Sequence, residues 1–103
     1  MKVELFYFDG CPAWQDGVKN LEIALQEEGL TASVETVKVI DNSDAVRLRF
    51  LGSPSIRIDG RELWPEQREN YSLSCRVYST PEGLKGTPTV EMLKQAIQQY
   101  KQV

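Results

Sequence analysis

Cys11 stands where a cysteine could act as a nucleophile. It follows the apolar run at residues 5–8 and precedes Pro12, a residue that is common in the first turn of a helix. Peptide N–H groups at a helix N-terminus lack partners within the helix and carry the positive end of its dipole, so they favour a thiolate over a thiol. We therefore expect thiol chemistry at Cys11.

Cys75 is the other cysteine, 64 positions further along the chain. One interpretation makes it the resolving thiol that closes a reversible disulfide with Cys11. The other makes it a buried small hydrophobe, as free cysteines often are. A bridge requires Cα atoms within roughly 7 Å of each other. A separation in sequence does not give that distance, and both interpretations stay open.

Histidine is absent from the chain, which limits the other chemistries. A serine triad that depends on histidine is excluded for Ser53 and Ser55. A structural zinc ion would need carboxylates to complete its ligands. We predict neither a resident metal nor a cofactor at the site.

The charges of the chain are unevenly distributed. The formal net charge is -3 and the pI is near 4.9, so we expect neither nucleic acid nor a membrane surface as a partner. The arginines all fall between residues 47 and 76: Arg47, Arg49, Arg57, Arg61, Arg68 and Arg76. They could form a basic patch that favours a thiolate or an anionic thiol such as glutathione, with Arg76 as the candidate binding residue. A solvated surface of mixed charge is the alternative.

The elements that must position Cys11 follow from the spacing of apolar residues. Residues 2–8 are rich in aromatic and β-branched side chains and predict a central strand. Over residues 12 to about 28 the apolar positions recur every three or four residues, which predicts a helix that ends at Gly29. A second strand at residues 34–39, parallel to the first, would complete a β–α–β unit.

The second half is expected to hold a short helix, a hairpin and a last helix. Residues 41–44 offer several caps for the short helix, which we expect to end at Gly52. The Asp-Gly pair at 59–60 predicts a tight hairpin turn, because both turn positions need a positive φ. Residues 65–86 show no clear period apart from Cys75-Arg76-Val77-Tyr78, and a region of this length is either functional or contains an element that the pattern does not reveal. The last helix is expected to have Thr87 as its N-cap.

Length and composition predict a single α/β domain over residues 1–103. Hydrophobic residues make up 41% and charged residues 26%, which is ordinary for a globular protein of this size. The sequence after Met1 has no features of a secretory signal, and no apolar stretch is long enough to span a membrane. We therefore expect a cytoplasmic protein, and we predict nothing about its oligomeric state.

Several stretches resemble the thioredoxin superfamily. They are Phe8-Asp9-Gly10-Cys11-Pro12 with Trp14, Gly52-Ser53-Pro54, and Leu73-Ser74-Cys75-Arg76-Val77-Tyr78. Together with the order β–α–β, short helix, β-hairpin, long loop and C-terminal helix, they are similar over nearly the full length to a group of small bacterial thioredoxin-like proteins. The resemblance implies a thioredoxin-like fold.

The resemblance also implies roles for individual residues. In that superfamily a proline, usually cis, lies beside the active thiol. Here that residue is Pro54, and the backbone of Ser53 would face a bound substrate. The chain departs from the Cys-x-x-Cys motif of thioredoxin, because Trp14 stands at the fourth position and no neighbouring thiol can resolve a mixed disulfide. Trp14 is expected to pack in the core, with a substrate surface as the alternative. Some members of the group carry selenocysteine in place of Cys11, which implies redox chemistry there.

We therefore predict a thiol–disulfide oxidoreductase or a thiol-dependent peroxide reductase. Cys11 would be the nucleophile, and Cys75 or an external thiol would resolve the intermediate. The candidate substrate-binding residues are Ser53, Pro54, Trp14 and Arg76. The expected substrate is an oxidised protein or a small-molecule thiol such as glutathione. The alternative function is a module on the same scaffold that binds a soft metal ion or metalloid through the two thiols, or that binds another protein.

Overall fold

The computed structural model describes residues 1–101, which form a mixed α/β fold of three helices, a four-stranded sheet and a separate two-stranded sheet. In chain order the elements are β1 (Val3–Tyr7), α1 (Trp14–Glu27), β2 (Val34–Lys38), α2 (Asn42–Leu48), β3 (Ser55–Ile58), β4 (Arg61–Glu62), β5 (Tyr78–Thr80), β6 (Gly83–Lys85) and α3 (Val90–Lys101). Within this range no helix is both long enough and apolar enough to cross a membrane.

β1 lies inside the four-stranded sheet, whose order is β2-β1-β3-β4. Val3 is opposite Val34 in the parallel pair with β2 and opposite Ile58 in the antiparallel pair with β3. A strand with neighbours on both edges and packed elements on both faces must be apolar on both sides. The predicted central strand and its parallel partner are therefore confirmed.

Two apolar clusters cover the two faces of the sheet. One face packs against α1 and α3 through Val3, Leu5, Leu21, Ala24, Leu25, Ile56, Ile58, Leu93 and Ile97. The other face packs against α2 through Phe6, Val39, Ala45 and Phe50. The side chains of a strand alternate between faces, so Leu5 and Phe6 belong to different clusters. The chain after β1 thus leaves a strand that is fixed from both sides.

The predicted hairpin turn is confirmed between β3 and β4. Asp59 has φ 51° and Gly60 has φ 83°, the two left-handed positions that this turn needs. β4 is a short strand that covers only Arg61–Glu62.

The first helix begins later than predicted, and the second ends earlier than predicted. α1 begins at Trp14 with Ala13 as its N-cap, so Pro12 lies before the helix. α2 begins after Asp41, whose side chain accepts the N–H of Asp44 at 2.8 Å, but it ends at Leu48 and not near Gly52. The chain leaves the helix at Arg49, which has φ 54°, because the next residue, a phenylalanine, must turn inward to fill the second apolar cluster.

The predicted cap of the last helix is wrong by two residues. The Oγ1 of Thr89, not that of Thr87, accepts the N–H of Met92, at 3.1 Å. The carbonyl oxygen of Pro88 accepts a hydrogen bond from the side chain of Asn20 at 2.9 Å, which ties this stretch to α1 before the helix begins.

The stretch at 65–86 contains the hairpin of β5 and β6, which the spacing of apolar residues did not predict. Its turn is closed by Thr80, whose Oγ1 donates to the carbonyl of Gly83 at 2.6 Å and accepts the N–H of Glu82 at 3.2 Å. Strands of three residues are too short to show a period. The turn sequence at 80–83, which contains proline and glycine, was the available signal.

Candidate functional site

A disulfide joins Cys11 to Cys75 in the structure. Their Cα atoms are 5.8 Å apart, which lies within the range that a disulfide can span. Of the two interpretations that the sequence left open for Cys75, the fold therefore favours the one that places it beside Cys11. The bond links the loop after β1 to the segment that leads into β5.

Cys11 is enclosed by the protein, with only 4% of its surface exposed. Its N–H donates to the carbonyl of Phe8 at 3.3 Å, and it lies two residues before the N-cap of α1. Its Sγ lies 3.6 Å from the carbonyl oxygen of Ser53. In the reduced protein that oxygen is placed to accept a hydrogen bond from the thiol.

Cys75 is an exposed residue held by its two neighbours in the chain. The N–H of Ser53 donates to the carbonyl of Ser74 at 2.8 Å, and the N–H of Arg76 donates to the carbonyl of Ser53 at 3.0 Å. These two bonds form a parallel bridge between Ser53 and Cys75. The segment is therefore attached to the sheet through its backbone as well as through sulfur.

Gly52 makes this close approach possible. It has φ 112°, and a Cβ placed there would lie 3.0 to 3.2 Å from the Cβ, N and Cα atoms of Arg76. A larger residue would both strain the backbone and push the Cys75 segment away. The sequence predicts Gly52 as the end of a helix, whereas in the structure Gly52 allows the Cys75 segment to approach closely.

Pro54 lies between α1 and β5. The peptide bond before it is cis. Its carbonyl oxygen accepts a hydrogen bond from the hydroxyl of Tyr78 at 2.5 Å, and Gly17 of α1 packs against its ring. Burial raises the pKa of Tyr78, so this hydroxyl remains a donor. Ser53 is fully buried, and its hydroxyl has no hydrogen-bond partner in the described part of the chain.

Trp14 is a packing residue of the first helical turn. Its ring stacks on that of Tyr7, with centroids 4.0 Å apart, and it covers the edge of the larger apolar cluster. This contact joins the end of β1 to the start of α1, the two elements between which Cys11 lies.

Arg76 points inward and is 7% exposed. Its guanidinium donates to the carbonyl of Trp64 and lies 3.5 Å from carboxylate oxygens of both Glu62 and Glu66. Burial raises the pKa of Glu62, although the two arginines beside it act in the opposite direction. The charge of Arg76 is thus directed at the chain's own carboxylates.

Other arginines of the predicted basic patch also have acidic partners. Arg57 pairs with Glu62 at 2.6 Å, Arg68 pairs with Glu66 at 3.2 Å, and Arg47 pairs with Asp44. Charges that are compensated locally leave a weaker field for an anionic ligand. Four of the six arginines, Arg47, Arg57, Arg68 and Arg76, are therefore paired with carboxylates of the chain itself.

The site as a whole is a disulfide between a buried and an exposed cysteine in a mixed α/β protein. Residues 1–101 hold no group of three or more histidine, cysteine or acidic side chains that could bind a metal ion. Comparisons of the chain with protein-family models, with curated proteins and with solved structures found no match.

Proposed function

We propose that this chain is a thiol–disulfide oxidoreductase with a thioredoxin-like fold, in which Cys11 and Cys75 form the redox-active pair. The observation that carries the proposal is the disulfide beside the Ser53 bridge. Two main-chain hydrogen bonds hold the segments together independently of sulfur. Such a pair can open and close without a large movement of the chain, as a catalytic disulfide must.

The proposal of a thioredoxin-like fold rests on element order and on one contact. β–α–β, a short helix and a hairpin follow in the order that the resemblance implies. The residue before Pro54 approaches the thiol position, with the Ser53 carbonyl oxygen 3.6 Å from the Sγ of Cys11. This arrangement supports a role for Ser53 and Pro54 beside the reacting sulfur.

In the proposed cycle an external dithiol reduces the Cys11–Cys75 disulfide. The resulting protein dithiol then reduces a substrate disulfide, and the protein disulfide forms again. Two electrons and two protons pass in each half of the cycle. In the cytoplasm, where thiols are kept reduced, a disulfide of this kind would cycle and not persist as a staple. We therefore propose a cytoplasmic protein whose substrates are oxidised proteins or small disulfides such as oxidised glutathione.

Peroxide reduction by the same pair is the second form of the reaction. One thiolate would attack a peroxide oxygen, release water or an alcohol and become a sulfenic acid. The other thiol would then attack that sulfur, form the disulfide and release water. The disulfide is the product of both reactions, so the oxidant must be identified by experiment.

The test is turnover with dithiothreitol as the reductant and either oxidised glutathione or hydrogen peroxide as the oxidant. We expect the wild type to turn over with one of them, and Cys11→Ser and Cys75→Ser each to turn over more slowly than the wild type, because neither variant can form the internal disulfide. Ser79→Ala, at an exposed position of the same segment, is the matched control and should keep full activity. Full turnover in Cys11→Ser would contradict the proposal.

The alternative function, a metal-binding module, is tested by metal titration of the same proteins. A reduced pair that binds a soft monovalent cation through both sulfurs, releases protons on binding and shows no turnover would identify a metal-binding module. Either single cysteine variant would then lose that binding. Absence of both turnover and metal binding would favour the protein-interaction module.

A further inference from the structure

The two cysteines of the disulfide are not equally exposed to solvent. Cys11 is 4% exposed, whereas Cys75 is an exposed residue. A disulfide is opened by a thiolate that attacks one sulfur while the other leaves, and access decides which sulfur is attacked. The difference in exposure therefore gives the two cysteines different roles.

The outward position of Cys75 is fixed by the extended segment at residues 75–80, which ends in β5. From 75 to 80 the residues alternate between the surface and the interior: Cys75, Val77 and Ser79 are exposed, and Arg76, Tyr78 and Thr80 are buried. Arg76 is anchored to Trp64 and Glu62, and Tyr78 is anchored to Pro54. Turning Cys75 inward would require both anchors to be released.

We propose that Cys75 is the sulfur at which partners enter and leave, and that Cys11 is the internal leaving group and resolving thiol. This assignment rests on the proposed thiol–disulfide exchange, and it is the reverse of the role that the sequence predicts for Cys11. Arg76 becomes a positioning residue, because its buried side chain holds the adjacent Cys75 in an outward orientation.

In the opening step the thiolate of an external thiol bonds to the Sγ of Cys75. The bond between the two protein sulfurs breaks, and Cys11 leaves with the electron pair as a thiolate, which takes a proton from solvent. The external thiol is now oxidised to a mixed disulfide with Cys75. A second external thiol can attack the partner's sulfur, so that Cys75 leaves as a thiolate and the reductant departs as its disulfide.

In the reverse direction Cys75 attacks the substrate disulfide and expels one half of it as a thiolate. Cys11 then attacks the Sγ of Cys75 and expels the other half. The two main-chain hydrogen bonds between Ser53 and the neighbours of Cys75 do not involve sulfur. They can therefore hold Cys75 near Cys11 in the mixed disulfide. Resolution is then intramolecular, with the high effective concentration of a tethered pair.

The test begins with oxidised wild-type protein. It is mixed briefly with reduced glutathione and quenched with acid, its free thiols are blocked with N-ethylmaleimide, and the glutathione adduct is located by mass spectrometry. We expect the adduct on Cys75 and the maleimide on Cys11, in about tenfold excess over the opposite arrangement.

A second measurement uses the reduced single-cysteine variants. We expect the thiol of Cys75 in Cys11→Ser to react with an aromatic disulfide reagent about tenfold faster than the thiol of Cys11 in Cys75→Ser. Denatured samples of both variants are the control, in which the rates should converge. Arg76→Met should narrow the difference between the folded variants, because Cys75 is then no longer held outward.

The outcomes separate this assignment from the proposed function. Glutathione found mainly on Cys11, or equal rates in the two folded variants, would overturn the assignment and leave the exchange reaction in place. A folded protein whose disulfide is opened by neither glutathione nor dithiothreitol even in large excess, while the denatured chain is reduced, would overturn both.

Discussion

Reduction of the Cys11–Cys75 disulfide should lower the free energy of unfolding by about 4 kcal/mol. The bond closes a loop over 64 positions of sequence, and the loss of loop entropy in the unfolded chain gives this magnitude. The folded state should change little, because the backbone bridge between Ser53 and Cys75 remains. The effect therefore belongs mainly to the unfolded ensemble.

The assay is urea unfolding of the wild type with and without dithiothreitol, followed by circular dichroism. A loss of this size should move the midpoint by on the order of 2 M urea. The double variant Cys11→Ala, Cys75→Ala is the control, and its midpoint should be indifferent to the reductant.

The same quantity can be measured in a second way. Because unfolding and reduction form a closed cycle, the equilibrium constant for reduction by dithiothreitol should be about a thousandfold smaller for the folded protein than for the unfolded chain, although an excess of the reagent still reduces both. A loss of stability below about 1 kcal/mol, together with equal reduction equilibria in the two states, would refute the reasoning. It would mean that the fold does not hold the two cysteines together.

Three further variants test features around the site, all by urea unfolding. Gly52→Ala, with its positive φ and its contact with Arg76, should cost about 3 kcal/mol, whereas Gly29→Ala, also at positive φ but with no atom within 4 Å, should cost about 1 kcal/mol. Equal losses would contradict the role given to the close approach. Tyr78→Phe should cost about 1 kcal/mol at pH 8, through the lost hydrogen bond to a main-chain carbonyl. Burial raises the pKa of Tyr78, so the stability that its protonated form contributes is lost as pH rises above the unfolded value near 10, and the gap between variant and wild type should close by about pH 11. A difference in stability between variant and wild type that stays constant with pH would show that burial does not raise the pKa of Tyr78. Asp41→Ala should cost about 1 kcal/mol, because α2 loses its N-cap, and an unchanged midpoint would show that the cap is dispensable.

Local patterns predicted the parts of the fold that depend on local rules. The strand at 2–8 is apolar on both faces because it lies inside the sheet, and the turn at 59–60 needs residues that tolerate positive φ. The end of α2 could not be predicted in the same way. It is set by the burial of Phe50 in a cluster that forms only when distant elements pack together.

The site was predicted in part. The sequence identified Cys11, Cys75, Ser53 and Pro54, and the structure brings them together. It could not give the exposure of the two cysteines, because exposure depends on which way each segment turns. Arg76 shows the same difficulty, since an arginine is ordinarily at the surface and its inward direction depends on carboxylates elsewhere in the chain.

Residues 75–80 alternate between the surface and the interior. The exposure of Cys75 therefore depends on whether an odd or an even number of positions separates it from the buried residues that follow. Cys75 faces outward because it lies an odd number of positions before each of the buried residues Arg76 and Tyr78. Removing or adding one residue between 75 and 78 would exchange the surface and interior positions on one side of the change. A change of two residues would preserve them. Chains that differ in length here by an even number of residues should keep Cys75 exposed, whereas an odd difference should turn it inward without altering either cysteine.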